Sequence, residues 1–411
     1  MNRLDRQMRI EGWNQTALER ARIGVVGDDD LLASLFVLSA SALGIHKLVV
    51  MAPRLDSRLV DMARKVNPAL RLTHLEGFYT HPALDDLFGG CDLMVDLSRY
   101  GLAGKLLLER GFRERLPVVF GSCRGWGEHQ GFRVFTYFRG REWRELQEII
   151  PSNNLPVKHW DDGVLDIIAA GIVLEEVSSL LMQQRVSNAL IGHNRPKLPD
   201  QGGWVEMLVV GAGALGNFVG LGLAFSGFRR CTFMDPDVVE VTNLNRQVLL
   251  YDAVGRRKAE TLSERLNTLF GMESQAVVGY FQDGTDLSSY DVVFDCVDNF
   301  ETRIVLSDRC REAKKRLISG GTSPRAAQVV VYDPGKSDAT PAELLGLPEI
   351  VRERGERSVV RERASCTYRP EPSVVMTNQI AAGFMVDALR MLLNGRPAPN
   401  VFYDSGRDAK F

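Results

Sequence analysis

The sequence lacks three features that would place it at once in a common class of protein. Its six cysteines include no Cys-x-x-Cys pair, so neither a disulfide framework nor a four-thiolate zinc site is expected. The 50 Lys and Arg residues nearly balance the 52 Asp and Glu residues, and a net charge of -2 gives no basic field for nucleic acid or an anionic membrane surface. No apolar stretch reaches the roughly 20 residues that span a bilayer. With its polar start, Met1 to Arg6, the chain is predicted to be cytoplasmic.

A weak internal repeat spans nearly all of the 411 residues. Four apolar segments of the first half recur in the same order in the second half, and each half closes on a helix of the same pattern. The matched pairs are Arg22 to Gly27 with Met207 to Gly211, Leu48 to Pro53 with Thr232 to Pro236, Cys91 to Asp96 with Tyr290 to Asp295, Pro117 to Gly121 with Arg316 to Gly320, and Ala169 to Leu174 with Ala381 to Val386. Strands alternating with helices predict an α/β fold of two tandem Rossmann-like domains.

The division between the two predicted domains falls in a stretch rich in turn-forming residues. Residues 192–204 contain His193-Asn194-Arg195-Pro196 and Pro199-Asp200-Gln201-Gly202, which favour a linker. We therefore predict a first domain over residues 1–191, a linker over 192–204 and a second domain over 205–411.

The second half carries a nucleotide-binding pattern. The strand Leu208 to Val210 leads into a Gly-x-Gly-x-x-Gly run formed by Gly211, Gly213 and Gly216, which lets the backbone turn tightly and approach phosphate. Asp235 ends the next strand, where a carboxylate typically binds a ribose hydroxyl. This much is also compatible with a nicotinamide dehydrogenase.

A dense polar cluster comes next in the chain and favours a triphosphate over a dinucleotide. It consists of Asn243, Asn245, Arg246, Gln247 and Lys258. Two cations and several amides suit the charge of a triphosphate, whereas hydride transfer gives them no obvious task. A nicotinamide oxidoreductase is therefore the weakest alternative, and binding of ATP but not NAD distinguishes the two interpretations.

The first half departs from this pattern at the corresponding positions. Asp28, Asp29 and Asp30 follow Gly27, where phosphate would otherwise be bound, and Ala52 replaces the ribose carboxylate. The aspartates suit a helix N-terminus but repel a triphosphate. We interpret the first half as a degenerate copy, and the alternative of a magnesium site at Asp28 to Asp30 stays open.

The second half resembles the adenylating domain of the ThiF, MoeB and ubiquitin-activating (E1) superfamily. The resemblance covers about residues 205 to 395 and rests on five motifs in the family's order. They are Gly211 to Gly216, Asp235, Asn243 to Gln247, Val254 to Ala259 and Asp295 to Asn299. Arg3 to Gln7, followed by Gly12, resembles the opening segment of the same family. A degenerate half fused to an intact one resembles the internal pseudo-dimer of eukaryotic ubiquitin-activating enzymes.

The resemblance implies a role for each site residue. The three glycines would form the phosphate loop and Asp235 would bind the ribose, while Lys258 would offset developing phosphate charge. Asp298 would hold magnesium and orient the reaction, and Arg6 would reach across from the first half as an arginine finger; a surface arginine is the competing interpretation. Three further residues would line the triphosphate: Asn243, Arg246 and Gln247. The implied cofactors are ATP and Mg²⁺, and no zinc is expected.

Cys366 is the predicted nucleophile. It lies in a polar, proline-punctuated stretch between Arg363 and Arg369, whose charges favour a thiolate. The stretch resembles the catalytic-cysteine segment on the crossover loop of the autophagy-type activating enzyme, and we assign that loop to about residues 333–372. An incidental loop thiol is the alternative. Cys231, Cys296 and Cys310 lie in apolar patterns and are expected to be buried.

The function that the resemblance implies is E1-like. The chain would adenylate the C-terminus of a ubiquitin-like protein, form a thioester on Cys366 and transfer it to an E2-like conjugating enzyme. Its compactness resembles E1-like proteins of bacterial ubiquitin-like conjugation operons of the Bil type, implicated in antiphage defence. Two alternatives remain: adenylation alone, for sulfur transfer or peptide modification, and a non-catalytic scaffold. Neither nucleic acid nor a membrane is an expected partner, and a homo-oligomer beyond the pseudo-dimer is left open.

Overall fold

The structure is a computed structural model that describes residues 2–28, 31–138, 146, 149–157, 162–199, 204–353 and 371–411. Two seven-stranded sheets organise these residues. The strands of the first sheet are β1 (Arg22–Gly27), β2 (Lys47–Ala52), β3 (Arg71–Glu76), β4 (Leu93–Leu97), β5 (Val118–Trp126), β6 (His129–Tyr137) and β7 (Ile191–Pro196). Their order is β3-β2-β1-β4-β5-β6-β7, with β1 to β5 parallel and β6 and β7 antiparallel.

The second sheet repeats the order of the first strand for strand. It contains β8 (Met207–Val210), β9 (Cys231–Met234), β10 (Gln275–Val277), β11 (Val292–Asp295), β12 (Arg316–Thr322), β13 (Ala326–Tyr332) and β14 (Val401–Asp404), in the order β10-β9-β8-β11-β12-β13-β14. Central strands are apolar because helices cover both faces of a sheet of this kind. The predicted α/β fold of two tandem Rossmann-like units is thereby confirmed, although each sheet is mixed rather than wholly parallel.

Helices flank both sheets. Those with described bounds are α1 (Asp5–Met8), α2 (Gln15–Arg20), α3 (Leu31–Leu43), α4 (Ser57–Val66), α5 (Gly101–Glu114), α6 (Gly163–Leu181), α7 (Ala214–Phe225), α8 (Lys258–Phe270), α9 (Phe300–Glu312), α10 (Pro341–Leu344) and α11 (Val375–Leu393). Among the residues that the structure describes, no helix is both long enough and apolar enough to cross a membrane.

The helices α6 and α11 pack against each other where the two halves meet. They are the two helices that the sequence repeat pairs, and their glycines make reciprocal contacts. A Cβ atom on Gly171 would press on Ile380, and one on Gly383 would press on Ile168. In the repeat, Gly171 corresponds to Gly383 and Ile168 to Ile380, so the interface follows an internal two-fold relation. Close approach of two helices requires glycine at both points.

Part of the predicted linker belongs to the first sheet. Residues 192–196 lie in β7, which pairs antiparallel with β6 from His129 to Val134. The sequence of this segment resembles a turn because its residues are polar. The partners that hold it in a strand are distant in the chain and leave no local signal. Arg195 is buried in β7 through ion pairs with Asp162 and Asp387. Residues 192–196 of the predicted linker are therefore part of the first sheet.

Candidate functional site

The site lies at the carboxyl ends of β8, β9 and β11, where the strand order of the second sheet reverses. β8 ends at Val210, and α7 begins at Ala214 with Gly213 as its N-cap. Gly211 has a φ of 103°, and a Cβ atom there would lie 2.6 Å from the Cys296 carbonyl oxygen. A Cβ atom on Gly216 would overlap the carbonyl oxygen of Gly211. Both positions therefore require glycine for the fold of the loop itself.

Gly213 differs from the other two glycines. Among the described residues, an added Cβ atom would have only Gln247 Nε2 within 4 Å, at 3.8 Å. The backbone at Gly213 is therefore open on the side where the first N–H groups of α7 begin. An open backbone at a helix N-terminus is the geometry that phosphate needs.

Asp235 is fixed beside this loop. Its Oδ2 accepts a hydrogen bond from Ala212 N at 2.8 Å, and its Oδ1 accepts one from Asp237 N at 2.8 Å. Burial raises the pKa of the carboxyl group, while Lys258 and the two backbone donors act in the opposite direction. The carboxylate is thus held beside the loop by backbone donors on both oxygens.

Lys258 begins α8 close to Asp235. Its Nζ forms an ion pair with Asp237 Oδ2 at 2.8 Å, and the Lys258 side chain is 11% exposed against 59% for Asp237. An ion pair with one partner at the surface contributes little to stability. The ammonium group can therefore exchange this carboxylate for a phosphate at small cost.

The polar run after β9 is buried and partly self-bonded. Asn243 Oδ1 accepts a hydrogen bond from Glu240 N at 2.9 Å and caps the 3-10 turn Val241–Asn243. Gln247 is buried, and its Oε1 has no hydrogen-bond partner among the described residues. A buried acceptor without a partner is costly, and such groups are frequent where a ligand completes the site.

Arg246 is the buried cation of the site. Its Nη1 donates to Thr242 O at 2.9 Å and to Asn245 Oδ1 at 2.7 Å. The pKa of Arg246 is lowered to about 10, mainly by burial and further by the charge of Arg6, against which Asp298 acts. Neither of its hydrogen-bond acceptors is a carboxylate, so its positive charge is not neutralised by them.

Arg6 reaches this site from the first half. It lies in α1, and its Nη1 donates to Glu371 O at 2.9 Å, just before α11. Its Nε is buried and has no hydrogen-bond partner in the described part of the chain. Arg6 and Arg246 place two guanidinium groups near each other, and the charge of Arg6 disfavours the charged form of Arg246. Two adjacent cations of this kind form a site for a multivalent anion.

Asp298 follows β11 and is exposed at the mouth of the site. The next residue, Asn299, caps α9 by accepting a hydrogen bond from Thr302 N at 2.8 Å. Among the described residues, no group of three or more His, Cys, Asp or Glu side chains is placed to hold a metal alone. A Mg²⁺ ion bound with a nucleotide takes one or two carboxylates, because phosphate oxygens and water complete its shell. Asp298 fits that requirement.

Asn217, which none of the sequence motifs includes, ties the phosphate loop to its surroundings. The side chain is fully buried, and its Nδ2 donates to Ala212 O and Gly213 O at 3.1 and 2.8 Å. Its Oδ1 accepts from Leu249 N at 2.9 Å. An asparagine directly after the third glycine, inside an otherwise apolar helix, was the signal that could have identified it.

The corresponding place in the first half is filled by an internal ion pair. Arg99 Nε lies 3.2 Å from Asp28 Oδ1, and both side chains are buried. In the repeat, Asp28 corresponds to Ala212 and Arg99 to Asp298, so the two halves carry opposite charges at the latter position. Asp28 is thus engaged by Arg99 rather than placed for magnesium, while Asp29 and Asp30 lie outside the described residues.

The cysteines divide as the sequence predicted where they can be compared. Cys231, Cys296 and Cys310 are buried, and burial raises the pKa of each thiol, which suits core residues. The two cysteines of the first half, Cys91 and Cys123, are also buried. Cys366, with its neighbours Arg363 and Arg369, lies outside the described residues.

Comparison with known proteins shows what the second half is similar to. Residues 203–405 match the ThiF family model. The protein named adenylyltransferase and sulfurtransferase MOCS3 from Aedes aegypti is 40% identical over 134 residues, and that from Anopheles gambiae is 39% identical over 133 residues. Each alignment covers 31% of this chain and 30% of the relative, so the chain matches less than a third of the length of either protein.

Solved structures show a weaker likeness. The crystal structure of E. coli MccB with succinimide has a TM-score of 0.42 and 21% identity, and covers 50% of this chain and 61% of that chain. The structure of E. coli MccB with AMPCPP and selenomethionine MccA gives the same TM-score at 22% identity.

Proposed function

We propose that this protein, whose second half is a ThiF family domain, is an ATP-dependent adenylating enzyme that acts on the C-terminal carboxylate of a ubiquitin-like protein. The observation that carries the proposal is the pair of guanidinium groups, Arg6 and Arg246, together with the loop after β8, whose backbone is open to phosphate at Gly213. The unpaired buried oxygen of Gln247 lies at the same loop.

The proposed reaction uses these groups in one displacement. A carboxylate oxygen attacks the α-phosphorus of ATP, the bond from that phosphorus to the bridging oxygen breaks, and pyrophosphate leaves with the electron pair. Arg246, Lys258 and Arg6 would stabilise the charge that develops on the leaving group. Asp235 would hold the ribose, and Asn243 and Gln247 would contact the phosphates. Asp298 would hold Mg²⁺ brought with ATP, which supplies further charge neutralisation.

The acyl adenylate would then be transferred to sulfur in a second step. The Cys366 thiolate would attack the carbonyl carbon of the acyl adenylate, release AMP and retain the carrier as a thioester. An E2-like thiol would take the acyl group from Cys366. This step is supported by the resemblance of the Cys366 segment to the autophagy-type crossover loop, and the Bil-type assignment rests on analogy alone.

We also propose that the first half is an inactive partner domain. The buried Asp28–Arg99 ion pair supports this role, because opening it to admit a nucleotide would strand two buried charges. Residues 1–191 would form this domain and 205–411 the active one, with the intervening segment partly incorporated in β7.

Adenylation without thioester formation is the second candidate. The name of the mosquito relatives includes sulfurtransferase as well as adenylyltransferase. In that case Cys366 would be dispensable for activity. A non-catalytic scaffold would show neither activity.

The Cys366→Ala variant tests the thioester. With ATP, Mg²⁺ and a candidate ubiquitin-like protein, the wild type is expected to give a reductant-sensitive adduct on a non-reducing gel, because a thioester is cleaved by thiols. The variant should lose the adduct completely and keep ATP–pyrophosphate exchange. A Cys91→Ala variant, with a buried thiol of the first half removed, is the matched control and should keep both. If the wild type shows ATP–pyrophosphate exchange but forms no adduct, the protein catalyses adenylation without thioester formation.

The Arg6→Ala variant tests the contribution of the first half. We expect ATP–pyrophosphate exchange at saturating ATP to slow by about 10- to 100-fold, because one fixed donor to the leaving charge is lost. Arg9→Ala is the matched control, since Arg9 lies next to the same helix and pairs with Asp5. An unchanged exchange rate in Arg6→Ala would mean that Arg6 is a surface arginine and does not act in the reaction.

A further inference from the structure

Asn245 lies where three parts of the chain meet. Its side chain has no solvent exposure. Oδ1 accepts a hydrogen bond from Arg246 Nη1 at 2.7 Å, and Nδ2 donates to Gln7 Oε1 at 3.0 Å and to Ser373 O at 3.3 Å. One amide thus contacts α1 of the first half, the guanidinium group of Arg246 and the segment just before α11.

The orientation of this amide is set by the first half. Gln7 is also fully buried, and its Nε2 donates to Gln15 Oε1 and to Leu43 O, both at 2.7 Å. Because those two acceptors hold the NH₂ group of Gln7, its Oε1 is the atom left to face Asn245. Asn245 must then present its own NH₂ group to Gln7 and its oxygen to Arg246.

Arg246 depends on a neutral acceptor at this position. Its guanidinium group is buried beside Arg6, and both circumstances disfavour its charge. The two oxygens that bind Nη1, from Asn245 and Thr242, fix the group without cancelling its charge. A carboxylate in place of the Asn245 amide would hold the guanidinium as firmly and would neutralise it.

We propose that Asn245 is a positioning residue for ATP binding, which transmits the fixed orientation of Gln7 in the first half to Arg246 in the second. The proposal rests on the proposed function, because it requires that Arg246 bind the phosphates of ATP. The first half would then contribute to the site in two ways, through Arg6 and through Gln7. Docking of α1 completes the relay of hydrogen bonds from Gln7 through Asn245 that orients the guanidinium group of Arg246.

Affinity for ATP with Mg²⁺, measured by isothermal titration calorimetry, tests the relay directly. Asn245→Ala is expected to weaken binding by roughly tenfold, because a hydrogen bond to a charged group is lost. Asn245→Asp, which is isosteric, should weaken binding more than Asn245→Ala, since the carboxylate competes with phosphate for Arg246. If Asn245 only supported the fold, Asn245→Ala would weaken ATP binding more than Asn245→Asp.

Asn267→Ala is the matched control. Asn267 makes a comparable set of bonds to Ser274, away from Arg246, so its loss should leave ATP affinity unchanged. In an Arg246→Ala background, Asn245→Ala should change affinity by less than about twofold, because the relay then has no end point. Thermal unfolding of each variant confirms that the fold is retained.

The outcomes separate this inference from the proposed function. If the wild type binds no ATP, both are overturned. If the wild type binds ATP and Asn245→Asp binds it as well as or better than Asn245→Ala, the relay is overturned and the adenylating enzyme stands. A full tenfold loss from Asn245→Ala in the Arg246→Ala background also overturns the relay.

Discussion

Replacing Asp162 with alanine is expected to lower the free energy of unfolding by about 3–5 kcal/mol, because it breaks a buried ion-pair network. Asp162 accepts hydrogen bonds from Arg195 Nη2 at 2.6 Å and from Arg390 Nη1 at 2.8 Å. All three side chains are 3% exposed or less. Removing the carboxylate would leave Arg390 buried without this partner and would weaken the contact between the halves.

Urea denaturation measures this effect, and Asp56→Ala provides a matched control. Asp162 caps α6 by accepting hydrogen bonds from Val164 N and Leu165 N. Asp56 likewise caps a helix, α4, and pairs with an arginine, Arg58, but the Arg58 side chain is 43% exposed. Loss of a cap of this kind costs about 1 kcal/mol. Should Asp162→Ala cost no more than Asp56→Ala, the network does not hold the halves together.

The same network predicts a pH dependence. Burial alone would raise the pKa of Asp162, but Arg195 and Arg390 bring it below the usual value. A lowered pKa in the folded state gives stability that is present above the unfolded value of about 3.9 and is lost as the pH falls through the folded value. The stability gap between the wild type and Asp162→Asn should therefore be constant near neutral pH and narrow below about pH 4.

The sequence repeat was sufficient to predict the fold but not its edges. Apolar strands alternating with helices follow from burial of both sheet faces, so β1, β2, β4 and β5 and their counterparts in the second half could be predicted. β7 could not, because His193, Asn194 and Arg195 are typical of a turn. Arg195 is accommodated in the strand by Asp387, which lies 192 positions away. A charge whose partner is that distant in sequence carries no local signal.

The residues of the candidate site likewise divide into those with a local sequence signal and those without one. Glycine spacing predicted a tight loop after β8, and the structure gives the steric reason for glycine at Gly211 and Gly216. The role of Asn245 depends on Gln7, 238 residues away, and the role of Asn217 depends on the path of the chain at Leu249. Arg6 was predicted only through a family resemblance, since nothing local distinguishes it from a surface arginine.

The glycines of the phosphate loop should separate folding from binding. Gly213→Ala is expected to leave stability almost unchanged, because its Cβ would have only one atom of the described residues within 4 Å and the backbone φ is -74°. ATP affinity should nevertheless fall by about 100-fold, or roughly 2.8 kcal/mol, since the methyl group would occupy the open face of the loop. Gly216→Ala should lose both stability and affinity, because its Cβ would overlap the Gly211 carbonyl oxygen.

Thermal unfolding and ATP titration of the same samples distinguish the two cases. Gly284→Ala is the matched control, because a Cβ there meets no atom within 4 Å in the part of the chain that the structure describes, and the position lies in a loop after β10. It should resemble the wild type in both measurements. A Gly213→Ala protein that binds ATP like the wild type would mean that phosphate does not approach this loop, whereas a stable Gly216→Ala protein would mean that α7 can move away from β8 without cost.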